Sequence, residues 1–370
     1  MRFQVEHTDG NARAGTLHTA HGPIPTPVFA PVGTQATVKA VTVDQLHQLG
    51  ARLILGNTYH LYLRPGAERV QRLGGLHAFM GWTGPILTDS GGYQVFSLAE
   101  TRRIDADGVT FRSHIDGSTH RLTPEEATTI QQALGADIIM AFDECAPPYD
   151  RRTNEQAVAR THAWADRCLA AHRPGAQAMF GIVQGGVFED LRRESARFIA
   201  ARPFAGVAIG GLSVGETKAE MHAALEVVVP ELPPARPRYL MGVGSPEDLV
   251  EGVVRSIDMF DCVLPTRMAR NHAALTPRGR LNLRNAVFAD DPRPIDELCD
   301  CSTCQRHSRA YLRHLMVAQE MLAATLVSIH NLRMLIRLTE QLRQAILEDN
   351  LAAYADEFRR QYHKHRSPES

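Results

Sequence analysis

The stretch Met259-Phe260-Asp261-Cys262-Val263-Leu264-Pro265-Thr266-Arg267 sets a single carboxylate in an apolar frame. Such a run reads as a short buried strand whose acid emerges at or near its end. Pro265 has no N–H for a ladder bond, so the strand stops there. Arg267 and Arg270 follow at once, on the loop that leaves the strand. A desolvated carboxylate with arginines just beyond it suits a nucleophile working beside a polyanion. Taken alone, the plainer reading is a strand-end Asp that caps the next turn.

A second group able to do chemistry is Cys299-x-Cys301-x2-Cys304, while Cys145, Cys168 and Cys262 are scattered. In a chain without a secretory leader, clustered cysteines read as metal binding before disulfide. Three thiolates and one imidazole fill a tetrahedral zinc shell and leave no open position, which makes the site structural. His330 is one choice of fourth ligand; His307 and His314 are closer in sequence.

Further polar groups recur just after short apolar runs. They are Asn57-Thr58-Tyr59-His60, Asp89-Ser90-Gly91-Gly92-Tyr93-Gln94, Asp143-Glu144-Cys145, Gln184-Gly185-Gly186, Gly210-Gly211-Leu212-Ser213-Val214-Gly215-Glu216 and Gly242-Val243-Gly244. Three acids, a glutamine and bare backbone suit the hydrogen-bonding edge of a purine, because glycine lets a flat ligand approach main-chain N–H and C=O groups. Caps and tight turns account for several of these glycines, but not for three acids on one rim.

The elements that must position these groups follow from the apolar pattern. Runs at 28–32, 52–55, 85–88, 138–141, 179–183, 206–209, 239–241 and the stretch around Asp261 make eight candidate strands. Each is too short and too uniformly apolar for a half-exposed antiparallel strand, and together they suit a parallel sheet covered by helices. Helical patterns fall between them, at 154–171, 189–200, 217–229 and 246–256. Thr42, Thr123-Pro124-Glu125-Glu126 and Ser245-Pro246-Glu247-Asp248 are helix-start signals. Eight alternations predict an α/β fold, a (β/α)8 TIM barrel, with a doubly wound open sheet as the alternative. Asp107-Gly108 and Asp116-Gly117 predict an antiparallel β insertion at 103–122. The expected division is a barrel over 1–275 with an N-terminal extension, and a C-terminal zinc-binding subdomain over 276–345. Residues 346–370 would be a helix returning to the barrel and a tail that frays from 364. A long apolar-periodic helical stretch covers 308–347.

Composition excludes little else. Of the 370 residues, 44% are hydrophobic and 22% charged, as in ordinary globular proteins. No apolar run approaches the roughly 20 residues of a membrane helix, and the first residues lack a signal-peptide core, so the expectation is a cytoplasmic protein. A formal net charge of −1 does not announce a nucleic-acid binder. Arginine greatly outnumbers lysine, which occurs only at Lys39, Lys218 and Lys364. No phosphate loop or dinucleotide fingerprint is present.

Taken together and in order, Thr88-Asp89-Ser90-Gly91-Gly92-Tyr93-Gln94-Val95-Phe96, Gly181-Ile182-Val183-Gln184-Gly185-Gly186, the Gly210 to Glu216 run, the Asp261 stretch and the cysteine cluster resemble tRNA-guanine transglycosylase. The resemblance runs over nearly the whole chain. It implies a barrel enzyme that exchanges guanine at the wobble position of the tRNA anticodon for a 7-deazaguanine. Asp261 would be the nucleophile on the ribose anomeric carbon and Asp89 the general acid/base. Asp89, Ser90, Asp143, Gln184 and the Gly211 amide would bind the purine, with Tyr93 and Met241 stacking on its faces. The Leu212 carbonyl, backed by Glu216, would take an aminomethyl group, and Arg267 and Arg270 would hold the anticodon loop. The family pattern makes His330 the fourth ligand of one structural Zn2+ per chain. Val214 and Cys145 resemble the bacterial form, which uses 7-aminomethyl-7-deazaguanine, whereas eukaryotic catalytic subunits carry a smaller residue at the Val214 position. Tyr311 and His314 match a homodimer interface. The chemistry fits independently: a carboxylate can trap an oxocarbenium-like ribose covalently, as in retaining glycosidases. A non-catalytic RNA-binding subunit would not need both Asp89 and Asp261. An unrelated barrel aldolase or glycosidase would not need the arginines or the cysteine cluster.

Overall fold

The computed structural model describes residues 1–98, 102–173 and 175–363, so the tail expected to fray lies outside them. Eight parallel strands close into a barrel. They are β1 (Val28–Gly33), β2 (Ile54–Gly56), β3 (Ile86–Thr88), β4 (Ile138–Met140), β5 (Ala178–Val183), β6 (Gly206–Ile209), β7 (Arg238–Leu240) and β8 (Met259–Cys262). β8 pairs with β1, setting Phe260 opposite Phe29 and Asp261 opposite Ala30, so the sheet is closed and not doubly wound. The eight predicted runs all become barrel strands; β2 starts two residues later than its apolar run.

The strands divide their side chains by a period of two. Val28, Ala30, Val32, Leu55, Leu87, Ile138, Met140, Phe180, Ile182, Ala208, Tyr239 and Met259 fill the barrel interior. Phe29, Ile54, Ile86, Ile139, Met179, Val207, Ile209, Leu240 and Phe260 face the surrounding helices. Gly206 is small because the Phe180 ring takes its space: a Cβ there would lie 2.4 Å from the ring.

The N-terminal extension is a three-stranded antiparallel sheet, Arg2–Asp9, Ala12–Thr19 and Gly22–Thr26. Its Leu17 and Ile24 join the interior cluster and close the amino-terminal mouth of the barrel. The sequence pattern missed these strands because the first is largely exposed on both faces and carries no apolar run. The β insertion is present as Arg102–Ile104, Val109–Arg112 and Thr119–Leu122, with Gly117 turning at φ +74°. Asp105 Oδ1 accepts from the Asp107 and Gly108 N–H groups at 2.9 and 3.1 Å and shapes the first turn.

Four predicted helices form as Arg151–Ala171, Glu189–Ala200, Lys218–Val228 and Pro246–Val254. Thr42, Thr123 and Thr217 close capping boxes with Gln45, Glu126 and Glu220. The stretch 308–347 is helical, as expected, with one interruption. It breaks into Arg309–Val317 and Met321–Leu347 at Gln319, whose φ of +60° no residue type announces within a run of helix formers. Met321–Leu347 is long and apolar enough to cross a membrane by length and composition, which corrects the expectation that no such run exists; 67% of its apolar window is buried inside the protein. It packs on β1 and on the helix Leu264–Arg270, as a core helix does.

Arg13 ties the N-terminal sheet to the barrel floor. Its Nε and Nη2 donate to the Asp258 carboxylate at 2.9 and 2.5 Å, and its Nη1 and Nη2 donate to the Pro234 and Arg236 carbonyls at 2.6 Å each. Both side chains are buried. Arg13→Ala strands the Asp258 charge, so denaturant unfolding should show a loss of about 3–5 kcal/mol. A loss under about 1 kcal/mol, the range of an exposed pair, would refute this pinning role.

Candidate functional site

Strand register aims the polar residues. In β3, β5, β7 and β8 the inward residues Leu87, Ile182, Tyr239 and Met259 are each followed two positions later by Asp89, Gln184, Met241 and Asp261. The same periodicity therefore points all four into the carboxyl-terminal mouth of the barrel, where active sites of this fold lie. Asp143 follows β4 and the Gly210-Gly211 pair follows β6 at the same rim.

Each of the three acids is buried and held by neutral donors. Asp261 Oδ1 accepts from Tyr239 O–H at 2.6 Å and from the Gly242 N–H at 2.7 Å. Among the described residues no donor reaches its Oδ2. Asp89 Oδ2 accepts from Asn57 Nδ2 at 2.5 Å, and its Oδ1 accepts from the Thr58 N–H at 2.7 Å. Asp143 accepts from Ser90 Oγ and from Gln184 Nε2, both at 2.7 Å. Burial pushes Asp261 and Asp143 above the usual carboxylate range, against the pull of these donors. Burial likewise pushes Asp89 up to about 6, with the Asp261 charge adding to the rise. An acid raised to about 6 beside a second buried carboxyl group can give and take a proton near neutral pH.

The β6 loop is shaped by glycine and by Glu216. A Cβ on Gly211 would lie 2.3 Å from Gln184 Oε1, so the glutamine depends on that glycine. The Glu216 carboxylate accepts from the Ser213 N–H and, at 3.0 Å, from the Val214 N–H. Because a trans peptide sets its N–H and C=O opposite, the Leu212 carbonyl points away from Glu216. Tyr93, on the helix Gly92–Leu98, is half-exposed at the rim, and Met241 is partly buried. Arg267 and Arg270 are exposed, and they lie not on a loop but in the helix Leu264–Arg270, which begins two residues after β8 with Pro265 in its first turn. Pro tolerates that position because the first turn's N–H groups have no helical partner.

Several contributors were not assigned from sequence: Asn57, Thr58, Tyr239, Gly242 and Arg192. Asn57-Thr58 was visible as a strand-end pair. Tyr239 had a signal in the inward register of β7. Arg192 had one in the stripe Arg192, Ser195, Ala196, Ile199, whose spacing marks a buried helix face.

The cysteine cluster assembles as one group. The ligand atoms of Cys299, Cys301, Cys304 and His330 all lie within 4.8 Å of one another, and all four residues are buried. His330 Nε2 donates to the Leu275 carbonyl at 2.7 Å, leaving Nδ1 turned to the thiols, 3.2 Å from Cys304 Sγ. That second bond fixes the imidazole tautomer as metal sites require. His307 is not in the cluster; it stacks on Tyr311. Three sulfurs and one nitrogen, buried and converging, can hold a metal ion with no open position.

Comparison with known proteins agrees with this geometry. The sequence model of the family described as Queuine tRNA-ribosyltransferase matches residues 8–364. A queuine tRNA-ribosyltransferase of Herpetosiphon aurantiacus is 60% identical over 357 residues, covering 96% of this chain and 91% of the relative. That of Symbiobacterium thermophilum is 61% identical over 354 residues, covering 95% and 88%. That of Caldanaerobacter subterraneus subsp. tengcongensis is 56% identical over 370 residues, covering 99% of each.

Two predictions follow from the electrostatics and the cluster. Asp89 keeps its proton in the fold between its ordinary 3.8 and about 6, where the unfolded chain has lost it. Its contribution to stability therefore falls as pH rises through that window. Asp89→Asn should gain stability over the wild type as pH is raised from 4 to 6, by up to about 3 kcal/mol at about 1.4 kcal/mol per unit. A difference that stays flat with pH would mean the carboxyl ionises freely. For the cluster, replacing any one of the three cysteines by Ser should lower bound metal and the unfolding temperature together, as should chelation of the wild type. Stripped protein that melts with the loaded form would rule out a structural metal.

Proposed function

The chain belongs to the queuine tRNA-ribosyltransferase family, and on that premise we propose that it exchanges guanine at the anticodon wobble position of tRNA for 7-aminomethyl-7-deazaguanine, through a covalent ribosyl-aspartate intermediate. The observation that carries this reading is Asp261: one oxygen is anchored by Tyr239 and Gly242, while the other accepts nothing from the described residues. Oδ2 bonds to the ribose C1′ as the bond from C1′ to guanine N9 breaks, and that electron pair leaves with the purine. Asp89 supplies a proton to the departing guanine. The incoming base returns its N9 proton to Asp89, closes on C1′ and displaces Asp261, so two inversions give net retention.

The purine fits the remaining groups by donor and acceptor type. Asp143, oriented by Ser90, accepts from the base N–H groups. Gln184 and the Gly211 amide donate to its 6-oxygen. Tyr93 and Met241 cover its faces. The Leu212 carbonyl, turned away from Glu216, accepts from an aminomethyl ammonium, which must be hydrogen-bonded when desolvated. Arg267 and Arg270, exposed beside Asp261 and without ion pairs among the described residues, bind the anticodon phosphates. In the cluster, Cys299, Cys301, Cys304 and His330 hold Zn2+, which supplies structural cross-linking and no reaction step. Tyr311, Val317, Met321 and Leu322 are exposed large apolar side chains on two successive helices and support a homodimer through this region. The cytoplasm, where tRNA is modified, is the compartment this reading requires.

A non-catalytic RNA-binding subunit is disfavoured because both acids are present and poised. Asp261→Asn should abolish incorporation of radiolabelled guanine into unmodified tRNA while the variant stays folded, since an amide cannot form the ester. Substantial exchange by folded, undeamidated variant would overturn the assignment. The choice of base rests on Val214, whose branched side chain occupies the space that the cyclopentenediol of queuine needs. Val214→Gly should admit queuine and keep guanine exchange, measured by competition of the two bases. Equal use of queuine by the wild type would remove Val214 as the gate.

A further inference from the structure

Arg192, on the helix Glu189–Ala200, is fully buried and is held by no carboxylate among the described residues. Its guanidinium instead gathers main-chain carbonyls from two rim loops. Nε donates to Gly186 at 2.7 Å, Nη1 to Gly210 at 2.7 Å and to Val183 at 3.4 Å, and Nη2 to Gly211 at 2.9 Å. Burial pulls the group down to about 10, so it remains a cation at neutral pH.

The consequence lies on the other side of those peptides. In a planar trans peptide the N–H points opposite the C=O. Turning the Gly210 and Gly211 carbonyls into Arg192 therefore turns the Gly211 and Leu212 N–H groups away from it. Among the described residues neither N–H has an acceptor. Gly211 has φ of +62°, and the left-handed turn lets two successive amides serve the same side. Gln184 lies against both glycines: a Cβ on Gly210 would be 2.8 Å from its Nε2 and one on Gly211 2.3 Å from its Oε1.

We propose that Arg192 is a positioning residue that presents and polarises the Gly211 and Leu212 amides as paired donors to the 6-oxygen of the departing purine. The proposal rests on the base-exchange reading and deepens it. When the bond from N9 to C1′ breaks, its electron pair enters the purine and part of that charge reaches the 6-oxygen. Donors already aimed at the oxygen need no reorganisation. A cation on the carbonyl side strengthens each N–H as a donor, because bonds in a chain polarise one another. Arginine suits the task because its planar fork reaches several carbonyls at once, which a lysine ammonium on a flexible stem does not.

The test compares wild type, Arg192→Lys and Arg192→Met with guanine and with 2-aminopurine, a base that keeps the amino group and lacks the 6-oxygen. Binding is measured by calorimetry and turnover by labelled guanine exchange into tRNA. Arg192→Lys should lower kcat by roughly 10- to 100-fold, below the loss from deleting an oxyanion donor outright. Guanine affinity should fall by about tenfold, with 2-aminopurine affinity unchanged within error. Equal losses for both bases would reduce Arg192 to a structural residue and overturn the proposal. Should neither variant fold, 15N-glycine-labelled wild type decides it: the Gly211 amide proton should move downfield with guanine and stay in place with 2-aminopurine, and an unmoved signal overturns the proposal. A wild type that binds guanine with these signatures but performs no exchange would instead defeat the base-exchange reading and leave the donor assignment standing.

Discussion

Three carboxyl groups are kept in one dry mouth without a cation to pair them, and much of the site follows from that constraint. The partners of Asp89, Asp143 and Asp261 are an asparagine, a serine, a glutamine, a tyrosine and two backbone amides. Neutral donors orient a carboxylate without cancelling its field. A cationic partner would instead hold the acids ionised and cancel that field. The exposed Arg267 and Arg270 stand on the helix after β8 and not among the partners of Asp261. Negative charge is thereby concentrated in the mouth of the barrel, and Asp89, raised to about 6, is the acid there best placed to exchange a proton.

The opposite arrangement surrounds the loops after β5 and β6. There a buried guanidinium is paired only with carbonyl dipoles. Asp261 lies in β8 and Asp89 directly after β3, whereas Arg192 lies on a helix outside the strands. The barrel wall separates the acids of the mouth from a cationic backing behind the loops. Separation by secondary structure keeps the two charge types from neutralising each other as a direct ion pair.

The sequence was most legible where one physical signal dominated. The barrel strands are buried on both faces, so their uniform apolarity marked them, and Asp89 and Asp261 inherit their direction from the same register. The cysteine cluster was legible as a donor set but not in its fourth ligand: His330 lies 26 residues beyond Cys304, and only the packing of the long helix brings it back. The N-terminal sheet escaped because its role is to cover the barrel floor with a few side chains, such as Leu17, Ile24 and Arg13, set among exposed ones. The donors to the acids escaped for a different reason. Asn57, Thr58 and Tyr239 have neighbours that depend on direction and distance, which residue type does not carry. Gln319 broke a helix that composition would have continued.

The long helix Met321–Leu347 connects the two chemically specialised regions. His330 and Asn331 are neighbours on it, both fully buried. His330 reaches the metal cluster with one nitrogen and the Leu275 carbonyl with the other. Asn331 accepts from the Leu275 N–H at 2.8 Å and donates to the Ala273 and Pro265 carbonyls at 3.1 and 3.0 Å. Pro265 opens the helix that carries Arg267 and Arg270 and begins two residues after β8. A hydrogen-bonded path of two adjacent side chains thus runs from the cysteine cluster to the backbone beside Asp261. Fixing the cluster fixes His330, and His330 with Asn331 fixes the hairpin strand Ala273–Thr276 against the arginine helix. On this geometry the cysteine cluster limits where the helix Leu264–Arg270 can stand relative to Asp261.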